Sequence, residues 1–242
     1  MTVGVLLFPG TNCEQDVAEA IRSLGGRADI VWHADRQLPN GVDAVVVPGG
    51  FAHGDYLRTG AIARFSPVMS AVQDFARSGG PVLGICNGFQ ILCEAGMLPG
   101  ALQKNRGLKF LCTTVDVRVE ASDTAATQRI APGVVLQLPI NHYEGCYTCD
   151  DATLRELQAE ARVVFRYVRN PNGSRDDIAG VCSAGRNVVG LMPHPERASH
   201  ELLGSVDGAR LLTSLLAAAQ AERPTPALLS TAADTPTERH AP

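Results

Sequence analysis

The sequence predicts an α/β fold: an open, mostly parallel sheet with helices on both faces and an added antiparallel portion. Three observations carry this. Short, almost wholly apolar runs at Val3 to Phe8, Asp43 to Val47 and Val82 to Ile85 each end in a Gly- or Pro-containing turn. Segments of helical period lie between them. Strands apolar throughout, alternating with helices, are the mark of a parallel sheet covered on both faces. In the second half, short runs separated by tight turns read instead as neighbouring antiparallel strands.

The chain in order justifies each element. Val3 to Phe8 is a first strand, and Pro9-Gly10-Thr11-Asn12 a turn in which Thr11 or Asn12 can cap the next helix. Val17, Ala20, Ile21 and Leu24 recur at helical spacing until Gly25-Gly26. Ala28 to Trp32 and Asp43 to Val47 are the next strands, the latter closing in Pro48-Gly49-Gly50. Phe65 to Arg77 reads as an amphipathic helix stopped by Ser78-Gly79-Gly80. The strand Val82 to Ile85 then runs through Cys86 into a helix that ends at Gly96. Leu108 to Val119 alternates well enough for one strand or two, and 120–133 reads as a polar surface connection. Strands follow at Val134 to Ile140, Val163 to Val168, Ile178 to Ser183 and Asn187 to Met192. A short helix is expected over Leu154 to Ala161 and a terminal helix over Val206 to Ala219. Residues 1–221 read as one domain. From Glu222 the chain is rich in Pro, Thr and Ala, and 222–242 is expected to be a mobile tail.

Composition narrows the function classes. Hydrophobic residues make up 45% and charged residues 19%, as suits a globular core. The net charge of −4 offers no reason to expect nucleic acid or an acidic membrane as partner. No apolar run approaches the roughly 20 residues of a membrane span, and no basic segment followed by a long apolar one marks a signal peptide. Seven scattered cysteines without a secretory signal fit reduced thiols in a cytoplasmic setting.

The chemistry centres on Gly84-Ile85-Cys86-Asn87-Gly88. A thiol at a strand-to-helix turn framed by glycines has the form of a nucleophile elbow, and the dipole at the helix N-terminus favours the thiolate. The alternative is a buried structural thiol behaving as a small hydrophobe. A Cys nucleophile needs a base, and the base an orienting group. Two pairs at i, i+2 spacing qualify: His194 with Glu196 around Pro195, and His142 with Glu144 around Tyr143. In an extended segment both members project to the same side, and spacing does not choose between the pairs. The loop Gly49 to Arg58 follows a strand, as Cys86 does, so both are expected at the carboxyl edge where open sheets bind ligands. Cys146-x-x-Cys149 lacks the second pair or His spacing of a zinc site, and neither G-x-G-x-x-G nor G-x-x-x-x-G-K-[ST] occurs.

Gly84 to Gln90 together with Pro193-His194-Pro195-Glu196 resembles the class I glutamine amidotransferases. Phe8 to Cys13, Pro48 to Phe51, Gly54 to Arg58 and Met192 to Arg197 are similar to the branch whose members serve purine biosynthesis, and the likeness spans residues 3 to about 216. The resemblance implies a flavodoxin-like sheet order. It implies Cys86 as nucleophile, His194 and Glu196 as base and orienter, the amides of Gly50 and Asn87 as oxyanion hole, and Gln90, Phe51, His142 and Tyr143 around the substrate glutamine. It further implies hydrolysis of glutamine to glutamate and ammonia through a Cys thioester. The ammonia would pass to a separate large ATP-dependent synthetase subunit, joined by a small third subunit, which converts formylglycinamide ribonucleotide to the amidine. No cofactor or metal is expected in this chain; ATP and Mg²⁺ would belong to the synthetase. The chain departs from the family pattern at Asn141 and Tyr143, where His-Gly-Glu-Gly is usual, and at His53, where an aromatic is expected. Three other classes compete: an amidotransferase for another synthetase, a Cys hydrolase or deglycase, and a non-catalytic scaffold. The Asn after Cys86, where deglycases carry His, and the intact Cys86, His194 and Glu196 weigh against the last two.

Overall fold

The structure is a computed structural model and describes residues 1–221, so the tail predicted for 222–242 lies outside the described residues. In chain order the elements are β1 (Thr2–Leu7), α1 (Glu14–Ser23), β2 (Arg27–Trp32), β3 (Ala44–Val47), α2 (Val68–Arg77), β4 (Val82–Ile85), α3 (Asn87–Glu94), β5 (Ala101–Gln103), β6 (Leu111–Val119), β7 (Val135–His142), β8 (Cys146–Thr148), α4 (Asp151–Ala159), β9 (Val163–Tyr167), β10 (Ile178–Cys182), β11 (Val188–Leu191) and α5 (Asp207–Gln220).

One sheet has the order β2-β1-β3-β4-β11-β10-β9-β6-β7, and a separate two-stranded sheet pairs β5 with β8. The five strands from β2 to β11 are mutually parallel, whereas β10, β9, β6 and β7 add antiparallel pairings. Residue patterns explain the division. Every residue of β3, β4 and β11 is buried, as a strand covered on both faces requires. In β7, and in β6 from Val115 onward, buried and more accessible positions alternate, so one face packs on the core and the other meets solvent. The register Val47↔Gly84 and Gly190↔Gly84 brings the carboxyl ends of β3, β4 and β11 side by side. Among the described residues no helix is long and apolar enough to cross a membrane.

Several expectations are corrected. Neither Thr11 nor Asn12 caps α1: Cys13 is the cap residue, the Thr11 hydroxyl accepts from the Phe8 N–H instead, and Asn12 Oδ1 accepts from the Cys13 thiol. Helix α2 begins only at Val68, because Pro67 supports a first turn but 63–65 form a separate 3-10 turn. The segment 120–133 is not a surface connection. Ala126, Thr127 and Ile130 are buried, the hydroxyls of Thr124 and Thr127 lie 2.6 Å apart, and Gln128 and the Arg129 N–H reach Ser214 on α5. Its burial is carried by short side chains whose polar atoms bond one another, and hydropathy does not register such a segment. The short strands β5 and β8 were not anticipated; at three residues each they carry no period to read.

Candidate active site

Cys86 ends β4 with φ 50° and ψ −105°, a strained conformation for a residue with a Cβ. Such strain costs on the order of 1–3 kcal/mol and persists where the surroundings over-determine it. The two framing glycines provide that determination. A Cβ on Gly84 would stand 2.5 Å from Leu92 Cδ1, and one on Gly88 would stand 1.8 Å from the Val47 carbonyl oxygen. Helix α3 is therefore pressed onto β3 and β4 backbone to backbone, and Cys86 is held at its N-terminus.

The adjacent strand β3 delivers Gly49 and Gly50. The Gly49 carbonyl accepts from the N–H groups of Asn12 and Cys13 at the start of α1, at 3.4 and 3.3 Å. A trans peptide points its N–H opposite to its C=O, so the Gly50 N–H is turned away from α1, and Gly50 lines the cavity that holds Cys86. Asn87 opens α3, where the first N–H groups have no helical acceptor. Its side chain ties the elbow to the loop after β3: Oδ1 accepts from Ala52 N–H at 3.0 Å, and Nδ2 donates to Gln90 Oε1 at 2.9 Å and to Asp55 Oδ1 at 3.3 Å.

Strand β11 delivers His194. Its backbone is extended (φ −103°, ψ 91°), but Pro195–Ala198 form a 3-10 turn, so the pair is not carried on one extended segment as the i, i+2 spacing predicts. The turn brings the side chains together all the same: His194 Nδ1 lies 2.6 Å from Glu196 Oε1, with both residues buried. The His194 N–H donates to the Pro139 carbonyl at 2.8 Å, and Gly208 lets α5 close against the Pro195 carbonyl, where a Cβ would come within 2.0 Å. A carboxylate on Nδ1 makes that nitrogen the donor and leaves Nε2 without a partner among the described residues. Burial opposes charge on this imidazole, yet Glu196, with the thiols of Cys86 and Cys13, holds its pKa well above the ordinary value.

The rival pair is not assembled. His142 is buried, its Nδ1 lies 3.0 Å from Asn105 Oδ1, and burial together with the nearby His194 pushes its pKa down to about 4. Glu144 turns to the Thr59 hydroxyl instead, at 3.3 Å. Both residues border a cavity of about 200 Å³ whose wall also includes Cys86, Gln90, Phe51 and Tyr143. Gln90 is buried there and donates through Nε2 to the Glu144 carbonyl. Phe51 and Tyr143 stand partly exposed at the rim.

Sequence reasoning missed two groups. Cys13 is buried beside the pair: its Sγ and one ligand atom each of His194 and Glu196 lie within 4.8 Å of one another. This is a donor set for a soft divalent cation, but Glu196 is closed on His194, and Arg197 donates to Cys13 Sγ at 3.2 Å. Its place after the first strand of a parallel sheet, on the same edge as Cys86, was the available signal. Cys146, by contrast, opens β8 and Cys149 follows it, and burial raises both thiol pKa values, which does not favour a reactive thiolate. The second missed group is Asp55. Burial and then Glu144 push its carboxyl up to about 6, against the hydrogen bond from Asn87.

A raised carboxyl pKa means that the folded protein binds the proton more tightly than the unfolded chain. Stability is then fully present below about pH 4 and is lost as the pH rises through about 6. Asp55→Asn, which cannot ionise and suits the left-handed backbone at this position (φ 53°), is expected to stabilise the protein at neutral pH. The gain is on the order of 1–2 kcal/mol after allowance for partial exposure. Urea midpoints of variant and wild type should separate as the pH rises from about 4 to 7; a gap independent of pH would contradict the assignment.

Residues 1–210 match the CobB/CobQ-like glutamine amidotransferase domain. The chain is 60% identical over 220 residues to the phosphoribosylformylglycinamidine synthase subunit PurQ of Rubrobacter xylanophilus, covering 91% of this chain and 100% of that protein. It is 55% identical over 228 residues to the same subunit of Koribacter versatilis, covering 90% and 98%. Among solved structures, a chain of PurLQS from Thermotoga maritima superposes with a TM-score of 0.82 at 40% identity, covering 89% of this chain and 97% of that one. With an elbow thiol, an imidazole–carboxylate pair and this likeness along almost its whole described length, the chain belongs to the glutamine amidotransferase family and, within it, to the PurQ subunits of phosphoribosylformylglycinamidine synthase.

Proposed function

We propose that Cys86, His194 and Glu196 are the catalytic triad of this glutaminase subunit and that it supplies ammonia for formylglycinamidine ribonucleotide synthesis in purine biosynthesis. The observation that carries the reading is the strained, glycine-framed Cys86 on a strand end adjacent to the one bearing the buried His194–Glu196 pair. The Cys86 thiolate attacks the side-chain carboxamide carbon of glutamine. The developing oxyanion is met by the N–H groups of Gly50 and Asn87, preorganised by the Gly49 carbonyl's contacts and by the helix start. Collapse expels ammonia, which takes its proton from the imidazolium of His194, while Glu196 holds the ring in orientation. Water then attacks the thioester with His194 as base, and glutamate leaves. Gln90, Phe51, His142 and Tyr143 enclose the substrate.

The acceptor chemistry lies on a partner. ATP and Mg²⁺ belong to a large synthetase subunit, with a small third subunit completing the assembly, and this chain uses neither; the setting is cytoplasmic. Cys86→Ala is expected to abolish glutamine-dependent amidination by the assembled complex while ammonia-dependent synthesis by the partner continues. Rates measured with each nitrogen source decide it: loss of both, or survival of the glutamine-dependent rate, contradicts the assignment.

A further inference from the structure

The wall of the Cys86 cavity carries two carboxyl groups that the thioester chemistry does not use. Asp55 comes from the loop after β3 and Glu144 from the turn between β7 and β8. They are close enough for the charge of Glu144 to act on Asp55, and each is held by a neutral donor, Asn87 Nδ2 for Asp55 and the Thr59 hydroxyl for Glu144. Among the described residues no Lys or Arg lines this cavity. The nearest basic side chain in sequence, Arg58, is spent on Glu94 outside it at 2.6 Å. Like charges near each other in a partly buried space are unfavourable unless a cation joins them.

A second group in the same wall is short of a donor. His142 is 4% exposed and its Nε2 has no partner among the described residues. Because Nδ1 is committed to Asn105 Oδ1 and the ring is neutral, Nε2 is a bare acceptor. Buried acceptors without donors are rare in folded proteins and mark places where something else binds. A nucleophile and two carboxyls lining one cavity fit a substrate that carries both an amide and a primary ammonium.

We infer that Asp55 and Glu144 form the subsite for the α-ammonium group of the substrate amino acid, so that the pocket discriminates against amides lacking a free α-amine. The inference rests on the assignment of Cys86 as the glutaminase nucleophile. It also explains why a carboxyl pair that weakens the free protein at neutral pH is present: the strain is relieved when the ammonium enters. Asp55→Asn therefore stabilises the free protein and weakens substrate binding, the exchange expected of a binding residue rather than a structural one.

The test compares L-glutamine with glutaramate, the same amide without the α-amino group, in the full chain assembled with its synthetase. Wild type is expected to prefer glutamine by at least about 100-fold in kcat/KM, since a site built for a polar group rejects the analogue that leaves it unpaired. In Asp55→Asn, kcat/KM for glutamine should fall about 30-fold, mainly through KM, as when one partner of a desolvated charge pair is truncated. Glutaramate turnover should stay within about threefold, so the preference collapses. Glu144→Gln should act the same way and serves if the first variant does not fold. Equal losses for both substrates, or an unchanged KM for glutamine, would overturn the subsite. Survival of glutamine turnover in Cys86→Ala would instead overturn the nucleophile, so the two failures are distinct.

Discussion

Replacing Glu196 by Gln is expected to lower glutamine-dependent turnover by about 10⁴-fold at neutral pH, the size of effect seen when the acidic member of a triad loses its charge. The cause lies in the balance at His194. Its burial works against the imidazolium, and the carboxylate at 2.6 Å is the foremost group working for it. A carboxamide removes that charge and can also donate to Nδ1, which would place the remaining ring proton on Nε2 and spoil the nitrogen that serves Cys86. The pH profile is the diagnostic. Glu196 holds the His194 pKa up, so the substitution lowers it, and the basic limb of kcat/KM should move to lower pH. A small loss, uniform across pH, would show that Glu196 is only a packing residue.

Gly88→Ala is expected to prevent cooperative folding or to cost at least about 3 kcal/mol, the large end of single-residue effects. The added Cβ would stand 1.8 Å from the Val47 carbonyl oxygen and 2.6 Å from its carbon. Both atoms belong to the backbone of a central buried strand, so no side chain can rotate away to relieve the contact. The helix would have to lift from the sheet and take the Cys86 turn with it. Gly107→Ala is the control: its Cβ meets nothing within 4 Å among the described residues and its φ is not positive, so urea unfolding should place it within about 0.5 kcal/mol of wild type. Comparable behaviour of the two variants would mean that α3 does not need its close approach to β3.

Much of the fold was legible because β1, β3 and β4 are short apolar runs closed by Gly or Pro, and their periods and breakers are local properties of the chain. The nucleophile was legible for the same reason, since the glycines around Cys86 are adjacent in sequence. The base was not. His142-Tyr143-Glu144 and His194-Pro195-Glu196 have the same spacing and both follow strands, and only likeness to a family separated them. The segment 120–133 was misread because Ala and Thr side chains bury without the hydropathy that signals burial: the Thr124 and Thr127 hydroxyls satisfy each other, and the contacts that cover the segment come from Ser214, far away in the chain.

By itself the sequence determined where strands end and helices begin, because steric freedom at glycine and the period of apolar residues act over a few positions. It also determined that a thiol would stand at one of those junctions. The tertiary structure decided which histidine serves it. The strand order sets β11 beside β4, so His194 emerges next to Cys86, while His142 is turned onto Asn105 and left neutral. It decided, too, that Cys13, Asp55 and Glu144 belong to the same neighbourhood. Charge, burial and hydrogen bonding between residues tens of positions apart depend on the register of the sheet, and no local pattern in the chain encodes that.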